Sequence, residues 1–326
     1  MLTRRDVLTA SATGIALVAA TPARPVAAQP RLKTAHILTG YTPGLPDAVA
    51  RLVAGQMKDY ADSIIVETRP GASGRIAVEA LRGAEADGSV MLLAPLGFIA
   101  LFPHIYKTLA YAPQDFTPVS TVGSFPTLLA VGPKVPKGVR SLADFIGWCR
   151  ANPTQATYGT PGVGTTLHFI GATLGRTAGF DYVHVPYQGR GAVQDLLKGE
   201  IASAVMPLDS LLGQVQAGQL RALATTGPTR LGALPDVPTV AQAGYPSLQD
   251  LTWFGIFLPA KTPPAIVAQL NNAIQTSLRT DEVKSGMAKL SVDVDAIAMS
   301  DFARLLASES ERWKGIVQAT GFTPTG

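Results

Sequence analysis

Cysteine is nearly absent. Cys149 is the only one in 326 residues, so no intramolecular disulfide can form. The roughly 300 residues beyond the N-terminal segment bury enough apolar surface to fold without one. Charge is sparse, at 15% of residues, and no Lys/Arg run interleaves with aromatics, which excludes a nucleic-acid footprint. Four histidines are present, His36, His104, His168 and His184, dispersed and without metal-ligand spacing. No G-x-S-x-G elbow occurs, and no two carboxylates stand out as an acid/base couple. After the N-terminal segment, no apolar run reaches the about 20 residues that span a bilayer. These absences argue against a hydrolase, a metalloenzyme and a membrane-spanning protein, and no cofactor or metal is expected.

The N-terminus reads as a targeting signal. Arg4 and Arg5 precede an apolar, Ala-rich run from Ala10 to Ala20, which ends near Val26-Ala27-Ala28. A charged start, a short apolar core and small residues at the cut describe an export signal over residues 1–28. The arginine pair resembles a twin-arginine signal, with Leu8 a partial match, and a Sec signal stays open. The signal holds Arg4, Arg5 and Arg24 against Asp6, so +2 of the net charge of +4 leaves with it. The expectation is a mildly basic, soluble protein of a bacterial periplasm.

From about Gln29 onward, short apolar runs alternate with amphipathic helices, the pattern of an α/β fold. Ala35–Leu38, Ile64–Val66 and Val90–Leu93 read as strands. Pro46 suits the first turn of a helix whose buried face is Val49, Leu52, Val53 and Met57, and Ile76, Ala80 and Leu81 line a second, shorter one. Val119–Val122 and Leu128–Val131 are strand-like and Leu142–Cys149 helical. A second unit follows, with strands at Ala156–Gly159, His184–Val185, Ala202–Met206 and Arg221–Ala224. Helices around Thr165–Thr177, Gly191–Leu197 and Asp209–Gln216 separate those strands. Trp253–Leu258 is a further strand. Thr262 and Pro263 start a helix with Ile266, Val267, Leu270, Ile274 and Leu278 on one face. The last helix begins at Ser300, carries Phe302, Leu305, Leu306, Trp313, Ile316 and Val317 on one stripe, and stops at Gly321. No tandem repeat shows, and the length favours two domains.

The stretch Y-G-T-P-G-V-G-T-T-L-H, Tyr158 to His168, nearly matches a phosphate loop, but Thr165 stands where G-x-x-x-x-G-K-[ST] needs lysine. Glycines let backbone N–H groups approach a ligand, and a helix start near Thr165 favours an anion. Thr160, Thr165 and Thr166 add hydroxyls. Without the lysine, this geometry suits a small carboxylate better than a triphosphate; a ligand-free turn is the plain alternative. Gly40–Asp47 repeats the logic ahead of the first helix, and two such loops from two domains can close on one ligand. Asp47 either complements its helix start or meets an ammonium group. Ser73 can donate to an anion, and Arg69 is either a carboxylate fork or a structural ion-pair partner. His168 either approaches the ligand or is buried and hydrogen-bonded, and Cys149 beside Trp148 reads as core.

Several segments carry a family resemblance. They are V-E-T-R-P-G-A-S-G (Val66–Gly74), A-D-G (Ala86–Gly88) and Y-A-P-Q-D-F-T-P-V (Tyr111–Val119). Asn152-Pro153 then leads to Y-G-T-P-G-V-G-T-T-L-H. Next come H-V-P-Y-Q-G (His184–Gly189), A-G-Q-L-R-A-L-A (Ala217–Ala224), L-P-D-V-P-T-V (Leu234–Val240) and W-F-G-I-F-L-P-A-K-T-P (Trp253–Pro263). In this order the chain resembles the Bug-type extracytoplasmic solute receptors of tripartite tricarboxylate transporters. The resemblance implies a periplasmic-binding-protein fold of two α/β domains with a ligand cleft between them. Domain 1 would be 29–129 plus 253–326, and domain 2 would be 130–252. It implies that the loops Tyr41–Pro46 and Thr160–Thr166 grip a carboxylate, partly through water. The expected ligand contacts are Tyr41, Thr42, Pro43, Gly44, Ser73, Thr160, Pro161, Gly164, Thr165, Thr166 and His168, with Tyr187 and Met206. The chain departs from the family where its first loop reads Y-T-P-G-L-P-D, one residue short, and where Val205-Met206 replaces Phe-Asp. The implied role is non-enzymatic: a receptor, monomeric by default, that delivers a small organic carboxylate to membrane permease subunits. A carboxylate-processing enzyme or a sensor component on the same scaffold are the alternatives.

Overall fold

The computed structural model describes residues 31–187 and 191–323. The expected export signal lies outside the described residues, as do Gln188 and Gly189 of the H-V-P-Y-Q-G segment. The described chain opens with β1 (Leu32–Thr39), α1 (Leu45–Gly55), β2 (Ala61–Thr68), α2 (Arg75–Arg82) and β3 (Val90–Pro95). Two single-turn helices, α3 (Gly97–Ala100) and α4 (Phe102–Ile105), lead to β4 (Phe116–Phe125). Then come β5 (Thr127–Val131), α5 (Leu142–Ala151), β6 (Thr157–Thr160), α6 (Thr166–Ala178) and β7 (Val183–Pro186). They are followed by α7 (Gly191–Lys198), β8 (Ser203–Pro207), α8 (Leu208–Gln216) and β9 (Arg221–Thr225). The chain returns through β10 (Thr252–Pro259) and ends in α9 (Pro264–Arg279), α10 (Asp281–Lys289) and α11 (Met299–Thr320).

The strands form two sheets of one design. The first has the order β2-β1-β3-β10-β4 and the second β7-β6-β8-β5-β9. In the first, β1 runs parallel to β2 and β3, and β10 runs antiparallel to both β3 and β4. In the second, β6 runs parallel to β7 and β8, and β5 runs antiparallel to β8 and β9. A common topology thus recurs without any sequence repeat. The two passages between sheets lie side by side. Phe125 pairs with Thr252, and the Thr127 N–H donates to Thr226 Oγ1 at 2.9 Å.

Each sheet is covered on both faces, as parallel strands require. On one face of the first sheet, Val49 and Val53 of α1 meet Met91, Ile256 and the α9 residues Val267, Leu270 and Ile274. On the other, Phe98, Phe102 and Phe257 pack with Phe302 and Trp313 of α11. The C-terminal helices therefore return to the first sheet. Cys149 is buried in the core of the second, where burial pushes its thiol up to about 12. Helix α11 also packs on α6: the Phe169 ring lies 5.3 Å from Phe322 and 6.2 Å from Trp313. Beside this contact Arg312 pairs with the buried Asp250 at 2.5 Å.

Three expectations change. Ile76 is 46% exposed, and α2 buries Ala77, Val78 and Leu81 in its place, because the helix starts at Arg75 and its face is rotated. Pro263 takes the N-cap position of α9, so Thr262 lies one residue before it. Helix α10 was not anticipated; it is short and polar, with only Val283 and Met287 buried. Its start is marked by Thr280, whose hydroxyl accepts the Val283 N–H at 3.3 Å.

Leu270 is fully buried between α9 and the first sheet. Leu270→Ala is expected to lower unfolding free energy by roughly 2–5 kcal/mol, the range for a leucine truncated in a close-packed core. Urea titration of the purified variant checks this.

Candidate functional site

Parallel strands that share a direction end on a common edge, and the helices that follow them start there. The β1–α1, β3–α3, β6–α6 and β8–α8 junctions all contribute to one cavity of about 110 Å³ between the two sheets. The first N–H groups of a helix lack intrahelical partners and carry partial positive charge. Three full-length helices, α1, α6 and α8, present such ends to the cavity through Gly44-Leu45-Pro46, Thr165-Thr166 and Pro207. No Lys, Arg or His side chain lines it among the described residues. The described residues thus offer an anion backbone dipoles and hydroxyls.

Eight of the expected contacts line this cavity: Tyr41, Thr42, Pro43, Gly44, Pro161, Thr165, Thr166 and Met206. Ser73 and Tyr187 line an adjoining, more open cavity of about 270 Å³, which shares Tyr41, Thr42 and Pro161 with the first. Burial pushes the Tyr41 phenol far above its ordinary value, so it is a neutral donor. The Tyr187 hydroxyl donates to Asp195 at 2.9 Å, and burial with that carboxylate pushes it up to about 12. The Thr166 hydroxyl lies 3.4 Å from that of Thr252.

Thr160, Gly164 and His168 line neither cavity. They hold the loop together. The hydroxyls of Thr160 and Thr165 both donate to the Gly162 carbonyl, each at 3.1 Å. Thr165 is also the N-cap of α6, accepting the His168 N–H at 3.2 Å. The Gly164 N–H in turn donates to His168 Nδ1 at 3.1 Å. Gly164 has φ +74, and a Cβ there would come 2.3 Å from Ile105; this position needs glycine for conformation and for space. The hydroxyls of Thr160 and Thr165 are thus tied within their own loop, whereas that of Thr166 meets Thr252 of the other sheet instead.

Other functions assigned in sequence also resolve. Asp47 makes a bidentate pair with Arg51, at 3.0 Å for each bond, rather than a side-chain cap. Arg69 pairs with Glu67 and lines neither cavity. His168 and His184, sixteen residues apart and dispersed in sequence, stack with ring centroids 4.0 Å apart behind the loop. The Thr160 hydroxyl bonds His184 Nε2 at 2.7 Å.

Sequence reasoning missed much of the wall. Phe98, Phe102, Phe125 and Phe254 make it aromatic, and Asp209, Ser210 and Thr252 add polar atoms. The β8–α8 junction was legible as a strand, a break at Pro207 and a helix. The rule that ligands sit at the carboxyl ends of strands picks it out as a third site loop. The phenylalanines carry no such signal, since in sequence they are indistinguishable from core.

Two α/β domains with a cavity between their strand ends define a periplasmic-binding-protein fold. The chain belongs to the tripartite tricarboxylate transporter family receptors, whose family model matches residues 49–322. It is similar to Protein BugT of Bordetella pertussis, at 33% identity over 310 residues covering 92% of this chain and 90% of that protein. Among solved structures it is similar to Rpa4515 of R. palustris with adipate. That likeness has 28% identity and a TM-score of 0.83, covering 90% of this chain and 99% of the other. MatC of Rhodopseudomonas palustris, with bound malate, is 28% identical with a TM-score of 0.80, covering 87% and 99%.

The histidine pair gives the loop a pH dependence. Burial lowers His168 to about 4; burial, and then the neighbouring His168, lowers His184 to about 3. An unfolded histidine titrates near roughly 6.5. Below that value the unfolded chain binds more protons, so the pair's contribution to stability is complete above about 6.5 and declines toward about 4 and 3. Asp250, pushed up to about 6 by burial against the pull of Arg312, acts in the opposite sense below about 6. The difference from a His184 variant therefore isolates that histidine. Relative to His184→Asn, wild-type protein is expected to lose thermal stability steadily from pH 7 to pH 4; parallel profiles would disprove this.

Proposed function

We propose that the protein is a periplasmic, non-enzymatic solute receptor. It captures a small organic carboxylate between its domains and delivers it to the membrane permease of a tripartite transporter. The observation that carries this reading is the cavity itself: α1 from one domain and α6 from the other direct their N-termini into a space that no Lys, Arg or His side chain lines among the described residues. Carboxylates are among the anions that helix N-termini hold with neutral donors. The adipate and malate bound in two similar structures support the same ligand class, and family membership supports the permease as recipient. Among the described residues the domains are assigned as 31–126 with 252–323, and 127–251; the expected boundaries at 129 and 252 shift because Thr127 opens β5 of the second sheet and Thr252 opens β10 of the first. The ligand contacts assigned are Tyr41, Thr42, Pro43, Gly44, Pro161, Thr166 and Met206.

Capture follows from closure. Ligand contacts shared by two domains exist only when both approach, so the solute selects the closed population. Across the cleft, a Cβ on Gly162 would lie 3.1 Å from Ser73 Oγ. Ser73 itself has φ 56 and Ala72 φ 48, left-handed values that non-glycine residues rarely adopt. The surroundings must hold this backbone in place, and its tip meets the loop of the other domain.

Two measurements test the reading. Protein refolded to strip bound solute is expected to be stabilised by one class of carboxylate in thermal-shift assays, by roughly 2.7 kcal/mol at about 100 times Kd. Thr166→Val is expected to weaken that binding by about twofold to tenfold, the worth of one neutral hydrogen bond. No response to mono-, di- or tricarboxylates, amino acids or aromatic acids would overturn the assignment. For closure, Gly162→Ala is expected to weaken binding without altering the ligand-free melting temperature, and adding Ser73→Gly is expected to restore it. Calorimetric titration reads both, and absence of rescue would place the effect within the loop.

A further inference from the structure

The wall of the cavity has two parts of different character. In the first, polar side chains are engaged with partners inside the protein. The Thr165 hydroxyl donates to the Gly162 carbonyl at 3.1 Å, that of Thr166 lies 3.4 Å from that of Thr252, and that of Ser210 donates to Asp209 at 3.5 Å. A polar group on the body of a ligand would compete with these bonds, and such an exchange gains little. The second part is aromatic. Phe98 and Phe102 stack with ring centroids 5.1 Å apart, and Tyr41 tilts against Phe98 at 5.4 Å. Phe125 and Phe254 form another pair at 5.0 Å. The four phenylalanines are at most 4% exposed, yet all of them line the cavity.

These rings are fixed from behind. Phe98 and Phe102 belong to the core under α11, and Phe125 and Phe254 to the core on the other face of the first sheet. A Cβ on Gly40 would lie 2.7 Å from the Phe98 ring, and one on Gly74 would lie 2.0 Å from it. The ring therefore rests directly on two glycine backbones and has no room to retreat. Opposite, Met206 of β8 brings a thioether from the second sheet, a group that packs well against aromatic rings. Rings already held in place lose little freedom when another ring joins them, and aromatic pairs gain energy beyond the area they bury.

Resting on the carboxylate reading above, we infer that the solute is an aryl carboxylic acid. Its carboxylate is held at the α1 and α6 starts. Its ring lies against the Phe98–Phe102 and Phe125–Phe254 pairs, with Met206 on the side of the second sheet. The aromatic wall then sets specificity against aliphatic acids such as adipate and malate.

Calorimetric titration of refolded protein tests this with phenyl acids and their saturated counterparts. The pairs are benzoate and cyclohexanecarboxylate, phenylacetate and cyclohexylacetate, 3-phenylpropanoate and 3-cyclohexylpropanoate; malate and adipate are the references without a ring. The saturated ring has the larger apolar surface, so burial alone favours it, and a preference for phenyl reports contact with the aromatic wall. At least one phenyl acid is expected to bind about threefold or more tightly than its counterpart. The same acid is expected to bind at least about tenfold more tightly than malate or adipate. Phe254→Leu is expected to reduce the preference for phenyl by about twofold or more, with a melting curve to show that the variant folds; the wild-type comparison decides without it. Cyclohexyl acids that match their phenyl partners in every pair overturn the inference. So does an acid without a ring, of these or of the wider panel above, that binds as tightly as every phenyl acid, and so does an unchanged ratio in folded Phe254→Leu. Each of these leaves the receptor reading standing. If no acid binds at all, the carboxylate reading itself falls, and the inference with it.

Discussion

Strand direction is the constraint on which the site depends. In each sheet the parallel strands end on the edge that faces the other sheet, so β1, β3, β6 and β8 deliver loops to one place. Every helix that follows begins with unsatisfied N–H groups, and their partial charges add over a short distance. A cavity built this way has a positive potential before any side chain is chosen. It needs no arginine fork, and its wall can be aromatic.

Choosing side chains for the loops then becomes mainly a matter of rigidity. Thr160 and Thr165 converge on one carbonyl, that of Gly162, and His168 reaches back to the Gly164 amide. A glycine-rich loop left to itself would lose its shape to backbone entropy. These bonds fix it, so that the backbone donors at the α6 start stand ready for a ligand. The stacked imidazoles behind it are neutral because they are buried, which lets them pack as flat, hydrogen-bonded rings.

How legible this was in the sequence depended on whether the signal was local. Strand and helix positions followed from periodicity, and the apolar stripe of α9, from Ile266 to Leu278, is buried as its spacing required. The left-handed stop at Gly321 and the glycine-rich turn before α6 were equally local. What sequence could not separate was a hydroxyl that faces a ligand from one that faces its own loop, since Thr160, Thr165 and Thr166 share one composition signal. Nor could it separate a phenylalanine in a cavity wall from one in the core. The His168–His184 stack depends on β6 and β7 lying side by side, a tertiary fact.

The strand order also bears on how the chain acquires its structure. The second sheet is drawn from a continuous segment, β5 to β9, and can assemble from itself. The first cannot: β10 is inserted between β3 and β4, yet it follows the whole of the second sheet in sequence. Until Thr252–Pro259 arrives, β3 and β4 lack the strand that joins them. Contacts of such long sequence separation form late, because loop closure must precede them. The domain built on the first sheet is therefore the last to complete its core, and its unpaired strand edges are the part of the nascent molecule most in need of protection from aggregation.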